Sequence, residues 1–170
     1  MNTASVMGKQ TELSVDEDQF LTFKLVGQEY GISALKVQEI KRWDKVTPIP
    51  NSPPYVRGVL NLRGLIAPIV DLRLLFNLPD TEYTAITAIV VINVGGRMAG
   101  LVVDSVSDVI NVNAEQKCAA PEYEGGQNRE FIKGLAQVDG TLLILLDMDR
   151  VIDAETLDKG DAAARVANVT

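Results

Sequence analysis

Tyr55-Val56-Arg57-Gly58-Val59-Leu60-Asn61-Leu62-Arg63-Gly64-Leu65-Ile66-Ala67-Pro68-Ile69-Val70-Asp71 is the stretch on which the fold turns. It holds two apolar runs, Val56 to Leu62 and Leu65 to Val70, separated by Arg63-Gly64. Each run has strand length and is rich in Val, Ile and Leu, so the segment predicts a β-hairpin with Gly64 in its turn. Phe131 to Asp147 (FIKGLAQVDGTLLILLD) repeats the design without a gap, at an offset of 131 − 55 = 76. Gly58 falls on Gly134, Gly64 on Gly140 and Asp71 on Asp147. A second correspondence precedes the first. Val26-Gly27-Gln28-Glu29-Tyr30 faces Val94-Gly95-Gly96-Arg97-Met98, and, after one inserted residue, Val37-Gln38-Glu39-Ile40 faces Val106-Ser107-Asp108-Val109. The same elements recurring in the same order predict two copies of one β module.

Working outward, Phe20 to Val26 alternates with a β period and ends at Gly27-Gln28, with Glu29 to Ile32 returning as a second strand. Ala34 to Ile40 reads equally well as a short helix or a strand. Val46 to Pro54 carries Pro48, Pro50, Pro53 and Pro54, which predicts a stiff extended connector. Asp71 and Asp147 each stand before a short helical segment, where a carboxylate caps the first turn. In the second copy, Thr87 to Val94 and Met98 to Val103 form the first hairpin, and Asn113 to Asn128 reads as an exposed loop. Many short strands at hairpin spacing give a mainly β class, and two copies imply two small closed barrels that leave no sheet edge exposed. The expected organisation is a disordered acidic arm over residues 1–18, a folded domain over 19–153 of two interleaved barrel subdomains split near 80–86, and a tail over 154–170.

The chain of 170 residues has a hydrophobic fraction of 46%, which fits a folded globular protein. Its net charge of −7 and 5% aromatic content argue against nucleic acid, which needs a basic face and stacking platforms. No apolar run is long enough to span a bilayer. The polar, acidic start lacks the apolar core of a secretory signal, and a single cysteine, Cys118, fits a reducing compartment, so a cytoplasmic location is expected. There is no histidine, which removes the commonest general base and the commonest zinc ligand. We expect no catalytic residues, no metal site and no cofactor. Asp71, Asp104 and Asp147 are acids at strand ends, and capping accounts for Asp71 and Asp147 more simply than catalysis does.

Arg63 is the informative charge. Its counterpart in the second copy is Asp139, so the turn itself does not demand a cation, and Arg63 reads as a contact residue. Gly58 interrupts a strand, and its twin Gly134 points to a bulge required by both modules, with an interface role second. Glu39 sits with Lys36, Lys41 and Arg42 beside an apolar stripe of Leu35, Val37 and Ile40, and this would ordinarily be a solvated face over core.

Glu29-Tyr30-Gly31-Ile32, Lys36-Val37-Gln38-Glu39-Ile40, Gly58 to Gly64, Pro68 to Arg73 and Val103 to Val109 together resemble the bacterial chemotaxis coupling (CheW) family, in the family's order, over about Phe20 to Ile152. The resemblance implies two five-stranded SH3-like barrels packed around a shared hydrophobic core. It implies a non-enzymatic adaptor that couples methyl-accepting chemoreceptors to the chemotaxis histidine kinase CheA, with ring contacts in receptor arrays and no insertion into the membrane. By position, Val37, Glu39, Ile40, Gly58 and Arg63 match the receptor-binding face. Glu122 and Tyr123 match the region that meets the kinase regulatory domain, and Cys118 stands where relatives often carry a basic residue.

Overall fold

The computed structural model describes residues 19–79, 82–118 and 131–152. The strands are β1 (Gln19–Leu25), β2 (Gln28–Ser33), β3 (Val37–Arg42), β4 (Val56–Leu62), β5 (Leu65–Asp71), β6 (Ala88–Val94), β7 (Arg97–Val103), β8 (Ser105–Asn111), β9 (Lys117–Cys118), β10 (Ile132–Val138) and β11 (Thr141–Leu146). A one-turn helix follows β5 at Leu72–Leu75 and another follows β11 at Met148–Val151, each capped by the preceding Asp71 or Asp147. These two helical turns and their caps stand where the repeat places them. Ala34 to Ile40 holds both of its alternatives in succession, a 3-10 turn at Ala34–Lys36 and then β3.

The strands form two sheets, ordered β8-β1-β2-β11-β10-β9 and β3-β6-β7-β5-β4. Each sheet takes the first hairpin of one repeat and combines it with the third strand and second hairpin of the other. The joins between copies are equivalent parallel pairings, Leu145 beside Gly31 and Ile69 beside Gly100. Closure is equivalent too. The chain leaving β3 crosses to β4, where Thr47 and Val59 exchange backbone hydrogen bonds of 3.1 and 3.0 Å. The chain leaving β8 crosses to β10 through β9, with Cys118 opposite Leu135. Because 59 + 76 = 135, these are the same joint in the two copies. The proline-rich connector is therefore more than a spacer: its Thr47 completes the second barrel.

Period-two alternation sorts side chains among three cores. Along β6, Ile89 and Val91 point into the second barrel, while Ala88, Val90, Ile92 and Val94 point into a core shared by both sheets. Along β11, Leu143 and Leu145 line the first barrel, while Leu146 joins the shared core. Strands covered on both faces read as continuous apolar runs, which is the pattern Ala88 to Val94 shows. The shared core also stacks Phe23 on Tyr30 and Phe76 on Phe131, at centroid separations of 6.0 and 5.4 Å. Since each fully buried Leu, Ile or Phe is worth about 1.5–3 kcal/mol, this shared layer joins the barrels firmly. The mainly β class, the two subdomains and their shared core are as the sequence implied.

Candidate interaction site

The β4–β5 turn brings the expected surface residues together. Arg63 has φ 56° and Gly64 φ 89°, the two left-handed residues of a type I′ hairpin, and the Gly64 amide donates to Asn61 Oδ1 at 2.8 Å. The same geometry recurs at Asp139 and Gly140. Arg63 is 82% exposed, and its Nη2 lies 3.6 Å from Glu39 Oε2 on β3. Val37 is half-buried against the shared core. A bulge between Val37 and Glu39 re-aims the residues that follow it. Leu35 and Ile40, expected to lie over core, are exposed, as is Leu65 at the hairpin tip. The Leu35, Val37 and Ile40 stripe therefore packs only through Val37, and the rest presents apolar surface near charge.

Gly58 lies below this surface. It sits at a bulge between Val56 and Gly58 with φ +148°, and a Cβ built there would stand 2.2 Å from the Thr47 carbonyl oxygen. It is buried, and its requirement for glycine comes from close approach of backbone at the barrel's closing joint. Gly134 marks the matching bulge on β10. Glu122 and Tyr123 lie outside the described residues.

A second cluster escaped the sequence reading. Arg73 and Asp71 are fully buried, and Asp71 accepts from the Arg73 backbone amide at 3.0 Å and from its Nε and Nη2 at 3.0 and 2.9 Å. Tyr83 donates its hydroxyl to Asp71 Oδ2 at 2.6 Å. The Arg73 Nη1 donates to Asp104 Oδ1 and to the Glu82 carbonyl, both at 2.7 Å. Asp104 Oδ2 in turn accepts the Val26 amide at 2.7 Å. Burial disfavours the charged guanidinium, but the Asp71 hydrogen bonds and charge, with those of Asp104, outweigh it and raise the Arg73 pKa. Asp71, Arg73 and Asp104 belong to the Pro68-to-Arg73 and Val103-to-Val109 motifs, whose meeting in space no local pattern announces, and Tyr83 lies outside both. The only sequence signal was a pair of acids at strand ends.

Tyr83 carries a pH consequence. Burial first, and then its hydrogen bond to Asp71, push its pKa from 10.0 up to about 12. Because the folded value lies above the unfolded one, the stabilising contribution is complete below pH 10 and is lost as pH rises toward 12. Melting temperature should fall across this window, and more shallowly for Tyr83→Phe. Tyrosinate absorbance should show Tyr83 ionising only as the fold loosens. A profile that is identical in the two proteins would contradict this placement of Tyr83.

Two closed barrels around one core, with an exposed ion pair on one barrel and exposed apolar side chains on both, define a domain built to present surfaces to other proteins. The chain belongs to the CheW-like domain family, whose model matches residues 19–156. It is 43% identical over 147 residues to the chemotaxis protein CheW of Klebsiella aerogenes, covering 86% of this chain and 89% of that protein. Its identity to the Bacillus subtilis chemotaxis protein CheW is 35% over 139 residues, covering 82% and 89%. Among solved structures it is similar to the scaffolding protein TtCheW from Thermoanaerobacter tengcongensis, with a TM-score of 0.72, 27% identity, and coverage of 77% of this chain and 89% of that one. Among the described residues no helix is long and apolar enough to cross a membrane.

Proposed function

We propose that this protein is a non-enzymatic adaptor coupling transmembrane chemoreceptors to the chemotaxis histidine kinase CheA, so that receptor state controls kinase autophosphorylation. The observation that carries the reading is Arg63. It is almost wholly exposed in a turn whose equivalent in the other copy carries Asp139, and stands beside Glu39 within the CheW-like domain family. The proposed receptor face comprises Val37, Glu39, Ile40 and Arg63 on the second barrel, with Gly58 supporting it from below. Exposed Ile40 and Leu65 give apolar contact, and the flanking charges fix the register of a helical receptor tip lying against them. Glu122 and Tyr123 are proposed for the kinase. In sequence they fall between β9 and β10, and we assign the kinase contact to the first barrel, apart from the receptor face. The protein works in the cytoplasm and is recruited to receptor clusters.

Arg63→Glu tests the receptor face. An exposed pair like Arg63–Glu39 contributes about 1 kcal/mol or less, so the variant should fold and melt close to the parent. Charge reversal in the face should weaken sedimentation with receptor-bearing membranes about tenfold or more and leave binding to the kinase regulatory domain unchanged. Equal loss toward both partners would contradict the assignment of separate faces.

A further inference from the structure

The two copies cross from one sheet to the other at corresponding places, and among the described residues one crossing is held by charge. The chain passes from β7 in the second barrel to β8 in the first through Asp104. The Asp104 backbone amide donates to the Lys24 carbonyl at 3.0 Å, and its carboxylate takes the Val26 amide, so this residue is tied to the first barrel at β1 and its turn. The other carboxylate oxygen takes Arg73 Nη1 at 2.7 Å, and Arg73 is locked to Asp71 at the end of β5 in the second barrel. One carboxylate thus bridges the barrels at a point that is 30% exposed on the Asp104 side and 1% on the Arg73 side.

The repeat shows that the crossing itself does not require this. Strands after the crossings align at 106 − 37 = 69, so Asp104 corresponds to position 104 − 69 = 35, which is Leu35. Leu35 carries no charge and is 63% exposed. Arg73 corresponds to 73 + 76 = 149, which is Asp149, also exposed. The other copy crosses through the 3-10 turn Ala34–Lys36, with neither residue at the matching positions. A buried guanidinium is costly to desolvate, and apolar residues of similar size commonly serve stability as well. What charge adds here is a directional tie across a seam that the shared core already joins.

We propose that Asp104 and Arg73 are positioning residues. Together they fix the angle between the barrels, and through that angle they link the receptor-facing surface on the second barrel to the kinase-facing surface on the first. The β5 strand ending in Asp71 begins at the hairpin tip that carries Arg63, so the receptor face and the joint share one rigid hairpin. Coupling between sites requires an element both can bias, and this joint is placed to be that element. The inference rests on the adaptor reading for its two partners, and its structural part stands apart from it.

The test uses the full chain, Asp104→Asn and Arg73→Lys. Asparagine keeps the shape of Asp104 but cannot accept from both Arg73 and the Val26 amide. Lysine keeps the charge of Arg73 but cannot fork between two carboxylates. For the structural arm, spin labels go on native Cys118 in the first barrel and on a cysteine introduced by Leu65→Cys at the second barrel's hairpin tip, both exposed. The parent should give one narrow distance distribution and both variants a broader or displaced one. For the functional arm, affinity for the purified kinase regulatory domain is measured with and without a purified receptor signalling-tip fragment. The parent should show linkage of about fivefold or more. Asp104→Asn should bring it to within twofold of none while each single-partner affinity stays within twofold of the parent. Unchanged distances in both variants would overturn the joint. Altered distances with intact linkage would reduce it to a structural clamp and overturn the coupling role. If the parent bound neither partner, the adaptor reading would fail, and the distance measurement would still decide whether the joint exists.

Discussion

Asp71→Ala should cost about 3–5 kcal/mol of folding stability, read as a shift of the urea midpoint at unchanged slope. The residue is fully buried and takes three donors from Arg73 and one from Tyr83. Removing it leaves the guanidinium in the interior with Asp104 and the Glu82 carbonyl as its remaining anchors, and also removes the cap of the Leu72–Leu75 turn. The cap alone is worth about 1 kcal/mol, so most of the loss comes from the stranded charge. A stranded charge and a simple loss of packing respond oppositely to a second substitution. Arg73→Met added to Asp71→Ala removes the stranded charge, so the double variant should be more stable than the Asp71→Ala single variant. A double variant less stable than Asp71→Ala would mean that the pair contributes through volume rather than charge.

Gly58→Ala should cost about 3 kcal/mol or more. The added Cβ meets the Thr47 carbonyl oxygen at 2.2 Å and its carbon at 2.7 Å, both backbone atoms that no side-chain rotation can move away. Backbone strain at a φ that L-residues avoid adds about 1–3 kcal/mol, and overpacking adds a similar amount. The damage falls on the Thr47–Val59 exchange that closes the second barrel. The internal repeat supplies the control. At Gly134 the corresponding Cβ would stand 3.3 Å from the Cys118 carbonyl oxygen without a left-handed φ, so Gly134→Ala should cost about 1 kcal/mol or less. Equal costs at the two glycines would show that the bulge, not the close approach, sets the requirement.

The contrast between these glycines marks what the sequence could and could not reveal. Their shared place in the repeat was legible, because a bulge glycine leaves a trace in local pattern, and so was the register of both second hairpins. That Thr47 lies against Gly58 was not legible, because the contact joins a proline-rich connector to a strand through backbone atoms that no side-chain type records. The interleaving of the two barrels came from the resemblance and not from local pattern, since tandem repeats pair within or across copies with the same local signals. For the surface, Arg63 stood out because Asp139 occupies the equivalent turn. Ile40 was assigned to the receptor face by resemblance alone, since its apolar character by itself pointed to core. The network of Asp71, Arg73, Tyr83 and Asp104 is assembled from three segments. Its capping half was read correctly, while its role in joining the barrels depends on a distance that only the fold supplies.

The most direct test of the central claim is kinase autophosphorylation measured with membranes bearing chemoreceptors, with and without this protein. The adaptor account expects strong activation that attractant then suppresses, with Arg63→Glu failing to support either response. Kinase output that stayed the same with and without the parent protein, across cognate and distant receptors, would contradict the coupling role and leave only the fold.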